Sequence, residues 1–299
     1  MLDNHRFTPQ PTADGSFTFF SEEAGESFHS IQGAKEESRI KFVEPCQLVK
    51  KSQQPRLKII DICYGLGYNS ASALETIWAN NPSCQVELVA LELDQAVAKA
   101  AIAYNLLNSW SQPIPQLLEV LANSGQIQTE QLQAQLLLGD ARITIQKLSQ
   151  SNWKADAIFL DPFSPRRCPQ LWTIEFISQL ANCCDTTGRL ATYSCAAAIR
   201  TALLRAGFKI AETPAVDSRQ PGTIASWQDI DLPLLPKKVL EHLQTHASVP
   251  YRDPQLSDLA PVIWQRRQLE QQSSQLEPTS HWKKRWTENR KLLVKGNRE

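Results

Sequence analysis

The middle of the chain alternates short apolar runs with longer amphipathic stretches, the pattern of strands and helices in turn. Strands are predicted at Leu57–Asp61, Val86–Leu91, Gln135–Leu138, Ala155–Leu160, Arg189–Thr192 and Phe208–Ala211. Helices are predicted over Ala71–Ala79, Gln95–Leu107, Trp172–Ala181 and Ala196–Ala206, the last capped by Gly207, with a further Gln/Leu-rich helical insertion in Pro113–Leu132. The alternation predicts an α/β fold, a doubly wound, mostly parallel sheet, over residues 55–230. Residues 1–50 read as a separate small segment. A turn at Ala13-Asp14 precedes a strand at Gly15–Phe20, Glu22–Ser30 carries the return strand, and a helix covers Ala34–Phe42. Pro45–Pro55 reads as a linker. From Pro214 the composition shifts toward proline, glutamine and charge. Residues 231–299 are expected to form a polar and basic extension, partly mobile where Leu269–Leu276 is rich in Gln and Ser.

Polar residues cluster where the apolar runs stop. The run ending at Asp61 leads into Ile62-Cys63-Tyr64-Gly65-Leu66-Gly67-Tyr68-Asn69-Ser70, a glycine turn opening a helix. Such a turn calls for glycine where the backbone needs positive φ or doubles back beside a ligand. Roughly 30 residues later, a βαβ spacing, the next run ends in Glu92, placed to accept from both hydroxyls of a ribose. The third glycine of a dinucleotide fingerprint is Ser70, and no phosphate loop is present. Asp61 would repel a pyrophosphate and suits an ammonium group. S-adenosyl-L-methionine meets these conditions: it has a ribose, a cationic amino-acid end and no phosphate. Asp140 follows the third run and suits an adenine amine or a helix N-cap, two compatible roles. Asp161 ends the fourth, ahead of Pro162-Phe163-Ser164-Pro165. In an open α/β sheet all four acids would share the carboxyl rim, where ligands bind.

Composition narrows the choices without adding a site. The 299 residues carry 31 basic and 31 acidic side chains, so bulk charge does not announce a nucleic-acid partner. No stretch approaches the roughly 20 apolar residues of a membrane span. The polar start, Met1 to Arg6, has no apolar signal core. Seven scattered cysteines without a C-x-x-C pair suggest neither a metal site nor a disulfide scaffold and fit a reducing, cytoplasmic setting.

Taken in combination, several segments resemble the MnmC-type tRNA methyltransferases in their stand-alone form. They are Asp14–Thr18, Ser21-Glu22-Glu23, Gly25–Ser30, Gly33-Ala34 with Glu36-Glu37-Ser38, and the Gly65/Gly67/Asn69 turn. Asp161–Pro165 with Pro169–Thr173 follows the family's D-x-F-x-P…N-P-x-[LM]-W pattern, except that Cys168 stands where asparagine is usual. Leu190–Ser194 and Val216–Pro221 match more loosely. The resemblance implies a class I, Rossmann-like methyltransferase using S-adenosyl-L-methionine. It also implies tRNA as substrate, with the aminomethyl group of 5-aminomethyl-2-thiouridine at the wobble position N-methylated. The second, flavin-dependent oxidase domain of bifunctional members is expected to be absent, since about 80 residues follow Pro221 and hold no G-x-G-x-x-G.

On this reading Asp61, Gly65, Gly67, Asn69, Glu92, Asp140 and Asp161 bind the cofactor, and Asp161 is also the expected catalytic carboxylate. Phe163 either stacks on the target base or packs in the core. His29 reaches the site from the N-terminal segment or is a packing residue. Arg219, which has fewer basic neighbours than usual in the family, is the expected RNA contact. Two alternatives are weighed beside this one: an aminopropyltransferase-like or small-molecule methyltransferase of the same fold, and a non-catalytic methyltransferase-like binding protein. The basic C-terminal run is either a phosphate-binding arm or, in the favoured reading, a solvated tail.

Overall fold

The computed structural model describes residues 7–213, 220–229 and 232–296. Two short hairpins open the chain. β1 (Gln10–Pro11) pairs with β2 (Phe17–Thr18), and β3 (Phe20–Ser21) with β4 (Glu26–Ser27), both antiparallel. Helix α1 (Ala34–Ser38) continues into a wider turn over Arg39–Val43. The expected linker holds a helix, α2 (Leu48–Lys51), because Cys46 and Leu48 are fully buried and pull the segment onto the core.

The main sheet follows as β5 (Arg56–Ile62), α3 (Tyr68–Asn80), β6 (Gln85–Glu92), α4 (Gln95–Ala103), α5 (Ile114–Ser124), β7 (Gln126–Gln128), β8 (Leu132–Leu138), α6 (Ala141–Ser149), β9 (Ala155–Leu160), α7 (Ile174–Cys183), β10 (Cys184–Thr192), α8 (Ala197–Arg205), β11 (Lys209–Glu212) and β12 (Thr223–Ser226). Its eight strands lie in the order β11-β12-β10-β9-β5-β6-β8-β7. The five central strands are parallel, and β7, β11 and β12 add antiparallel edges. Alternation along each strand feeds two cores. Leu57, Ile59 and Phe159 join α3, α4 and α5 on one face; Ile60, Ile62, Ile158 and Leu160 join α6, α7 and α8 on the other. Among the described residues no helix is long and apolar enough to cross a membrane.

Further features depart from the expected pattern: β7 (Gln126–Gln128) is a strand inside the stretch read as a helical insertion. β12 lies between β11 and β10. Its residues Thr-Ile-Ala-Ser give no apolar run although all four are buried. Gly222 just before it is needed, since a Cβ there would stand 2.5 Å from the Thr192 carbonyl oxygen. Beyond residue 231 the chain forms α9 (Lys237–His242), α10 (Ala260–Ser273) and α11 (Thr279–Gly296). The Gln/Ser-rich stretch thus begins inside a helix. Tyr251 and Ile263 complete the second core, and Trp282 is buried against His242 with ring centroids 4.1 Å apart. The start of the basic run is therefore packed on the fold and is not a solvated tail. Isolated anchors, Ile263 in α10 and Trp282 in α11, leave no stripe for a periodicity reading to find.

Candidate active site at the carboxyl rim of the sheet

The turn after β5 is built around Tyr64. Gly67, the N-cap of α3, has φ +82°, and a Cβ there would lie 2.5 Å from the Tyr64 hydroxyl oxygen. The glycine makes room for a neighbouring ring, not for a ligand. The first turn of α3 then reaches two carboxylates. Ser70 Oγ donates to Asp61 Oδ2 at 2.6 Å, and Asn69 Nδ2 donates to Asp161 Oδ2 at 2.8 Å. Asp61 is fully buried, and its Oδ1 has no hydrogen-bond partner among the described residues. Burial pushes its pKa up to about 7, against the Ser70 bond and helped by the Glu92 charge.

Glu92 ties the end of β6 to the glycine turn. Its Oε2 accepts from the Gly65 N–H at 2.8 Å, and Oε1 from the N–H groups of Leu93 (2.8 Å) and Asp94 (3.0 Å). Burial raises its pKa while these donors oppose the rise. A carboxylate has about four acceptor sites, so capacity remains toward the cavity. Asp140 fills its N-cap role on α6, accepting from the Arg142 N–H at 2.9 Å and from Arg142 Nη2 at 2.7 Å. Burial pushes Asp140 up, but Arg142 outweighs it and the net shift is downward. The same guanidinium donates from Nη1 to Asp253 Oδ2 and to the Asp258 carbonyl, both at 2.8 Å. Thus the region after residue 231 braces a residue of the rim.

Asp161, at the end of β9, has its pKa driven well above the carboxylate range by burial, next by the Glu37 charge, with Asn69 pulling the other way. The N-terminal segment roofs this part of the rim. Glu26 accepts from Ser164 N (2.9 Å) and Ser164 Oγ (2.5 Å). Glu37 Oε2 accepts from the Ser30 N–H at 2.7 Å. Phe28 meets Phe163 edge to face at 5.1 Å. His29 stacks on Tyr68 at 4.9 Å, and burial lowers its pKa to about 4, so it is neutral near pH 7. Tyr193 donates its hydroxyl to the Pro162 carbonyl at 2.9 Å.

These groups enclose a cavity of about 780 Å³. Gly65, Glu92, Asp140, Asp161, Phe163 and His29 line it together, whereas Asp61, Gly67 and Asn69 stand behind its wall. Arg219 lies outside the described residues. Sequence reasoning gave no role to Glu26, Glu37, Tyr193 or Arg142, all of which line the cavity. The first three sit inside the segments that carry the family resemblance, which was the available signal. The lining is strongly acidic: Glu22, Glu23, Glu26, Glu37, Glu92, Asp94, Asp140 and Asp161 face it, against the single guanidinium of Arg142, already paired. Such a cavity suits cationic ligands and disfavours phosphates.

The crystal structure of MNMC2 from Aquifex aeolicus matches with a TM-score of 0.79 and 32% identity, covering 90% of this chain and 86% of that one. The chain belongs to the MnmC2 family of methyltransferases. A family model described as S-adenosyl-L-methionine-dependent methyltransferase matches residues 100–228. An uncharacterized protein of Methanocaldococcus jannaschii is 30% identical over 251 residues, which cover 82% of this chain and 67% of that protein. The tRNA 5-methylaminomethyl-2-thiouridine biosynthesis bifunctional protein MnmC of Ralstonia nicotianae is 29% identical over 74% of this chain. This chain spans about a third of the length of that bifunctional relative. The protein is thus an S-adenosyl-L-methionine-dependent methyltransferase of class I α/β fold. The cavity fits that cofactor: it is acidic for a sulfonium and an ammonium, and Glu92 offers acceptors for a ribose.

Proposed function

We propose that this MnmC2-family methyltransferase N-methylates a primary aminomethyl group on a tRNA wobble uridine, that of 5-aminomethyl-2-thiouridine. The observation that carries this reading is the acid-lined cavity with Asp161 and Glu37 together under an aromatic wall. Bound S-adenosyl-L-methionine supplies an electrophilic methyl group whose departure leaves a neutral thioether. Glu92, Asp140 and the Gly65 turn are the groups we assign to holding it, with Asp61, Gly67 and Asn69 supporting them from behind.

The remaining task is to present an amine lone pair. A primary alkylammonium cannot attack while protonated, and in water it keeps its proton at pH 7. Enclosure in the cavity lowers its pKa, whereas a nearby carboxylate raises it, so desolvation must prevail. Asp161 is suited to take the proton: a bound ammonium beside it favours its ionised form, while burial keeps that carboxylate more basic than a free one, which narrows the gap between donor and acceptor. Asn69 holds one Asp161 oxygen and fixes the carboxylate's orientation. Glu37 supplies the second negative charge that draws the ammonium in. Phe163, braced by Phe28, offers apolar surface for the pyrimidine. In this reading residues 55–230 carry the chemistry, residues 1–50 close over the substrate, and residues 231–299 brace the rim. The Ralstonia relative is named for biosynthesis of tRNA 5-methylaminomethyl-2-thiouridine, which supports tRNA as the substrate here.

The test is incubation of the purified protein with cofactor and tRNA bearing 5-aminomethyl-2-thiouridine, followed by nucleoside mass spectrometry. Gain of one methyl group on the aminomethyl nitrogen is expected. An unmodified nucleoside, with the cofactor demonstrably bound, would overturn the reading.

A further inference from the structure

A second cleft, of about 570 Å³, adjoins the acidic cavity and shares Glu26 with it. Its character is opposite. Arg166 and Arg167 enter from the turn after Pro165, tightened by Arg167 N and Cys168 N donating to the Ser164 carbonyl at 2.7 and 2.9 Å. Trp264, Arg267, Gln268 and Gln271 face them from α10, at the i, i+3, i+4, i+7 spacing that lies along one helix face. Glu26 is committed, accepting from Ser164 and lying 4.0 Å from Arg167.

The side chains are presented with few internal obligations. Arg267 is half-buried above Tyr251, 4.6 Å from the ring centroid, and among the described residues donates to the carbonyls of Val249 (2.7 Å) and Ala247 (3.1 Å). Among the described residues neither Arg166 nor Arg267 has a carboxylate partner. Trp264 is 41% exposed, a large ring turned to the cleft with no core to join. Arg166 without a carboxylate partner among the described residues, Arg167 with only the 4.0 Å contact to Glu26, and an open indole are the equipment of a single-stranded nucleic-acid track: charge for the phosphates and a face on which a base stacks.

We infer that this cleft holds the RNA strand next to the target nucleotide, with Arg166, Arg167 and Arg267 at its phosphates and Trp264 stacked on a flanking base. The inference rests on the tRNA reading above and adds where the strand runs. It also divides the labour by charge. The acidic cavity repels phosphate and takes the aminomethyl base, while the basic cleft beside it takes the backbone, so a nucleotide can enter in one orientation only. The polar face of α10, which packs a single residue into the core, gains a purpose from this arrangement.

The probe is an anticodon stem-loop RNA carrying the aminomethyl-thiouridine, with the free nucleoside as a control that cannot reach the cleft. Arg166→Ala combined with Arg167→Ala should weaken filter binding of the stem-loop by about tenfold or more. The slope of log Kd against log salt should flatten by about one to two. Trp264→Ala should weaken binding by a similar factor with the slope retained. Cofactor affinity and methylation of the free nucleoside should not change in either variant. Stem-loop binding as tight as wild type in both variants would overturn the inference, as would loss of nucleoside methylation, which would tie these residues to the chemistry instead. If the variants lose RNA affinity but the wild type methylates neither probe, the cleft assignment stands and the amine reading falls. If the wild type methylates the stem-loop and the variants do so with unchanged KM, the cleft assignment falls and the amine reading stands.

Discussion

Asp253→Asn tests whether the region after residue 231 is part of the working fold. Asp253 is fully buried; Oδ2 accepts from Arg142 Nη1 at 2.8 Å, and Oδ1 from the N–H groups of Ser257 and Asp258, each at 3.1 Å. Donors therefore face both oxygens. Asparagine in either orientation turns its NH2 against some of them and removes the charge opposite Arg142. Breaking a buried ion pair costs about 3–5 kcal/mol. Arg142 keeps its fork on Asp140, whose side chain is 33% exposed, so the loss belongs at the lower end, about 3 kcal/mol. For a chain of this size that is a fall of roughly 5 °C in melting temperature. The fork on Asp140 then loses its charged anchor in Asp253, so Asp140 is held less firmly at the cavity wall and cofactor affinity should drop in parallel. Thermal melts beside titration calorimetry check both. An unchanged melting temperature would refute the reasoning and show that residues 249–258 are not sealed onto α6.

Two further perturbations probe the rim. Asp61 carries a pKa of about 7 in the folded protein against an ordinary 3.8, so the folded state holds this proton more tightly than the unfolded one. Stability from this group is complete below about pH 4 and is lost as pH rises to 7, by up to about 4 kcal/mol; Asp61→Asn should abolish that decline, and melts at pH 5 and pH 8 that keep the wild-type difference would contradict the assignment. Gly67→Ala forces a Cβ to 2.5 Å from the Tyr64 hydroxyl oxygen at positive φ. It should cost about 2 kcal/mol or more by denaturant unfolding, part of it recovered by Tyr64→Phe, and no recovery would mean the ring is not what the glycine accommodates.

What the chain disclosed in advance follows from what makes a pattern visible. Parallel strands buried on both faces are apolar runs, so β5, β6 and β9 could be read directly, and the acids that end them were conspicuous because carboxylates seldom follow such runs without purpose. β12 was illegible because a strand flanked by two antiparallel neighbours can be filled by Thr, Ala and Ser once Gly222 allows close approach. The C-terminal helices were read as tail because Tyr251, Ile263 and Trp282 are single anchors. Within the site, the strand-end acids were predictable from topology, but Glu26, Glu37 and Tyr193 come from a hairpin, a helix and a strand end that meet only in three dimensions. Tyr64 folds over Gly67 and lines the cavity while Asp61 does not, a layering no spacing rule encodes.

The central claim is that Asp161 works on the amine and not on the cofactor. The direct measurement is the single-turnover rate of methyl transfer to RNA bearing 5-aminomethyl-2-thiouridine, wild type against Asp161→Asn, with cofactor affinity measured on the same preparations. The account expects the rate to fall by roughly 100-fold or more, the scale of general acid–base catalysis, while cofactor affinity stays within a few-fold. A rate that survives while cofactor affinity collapses would contradict it.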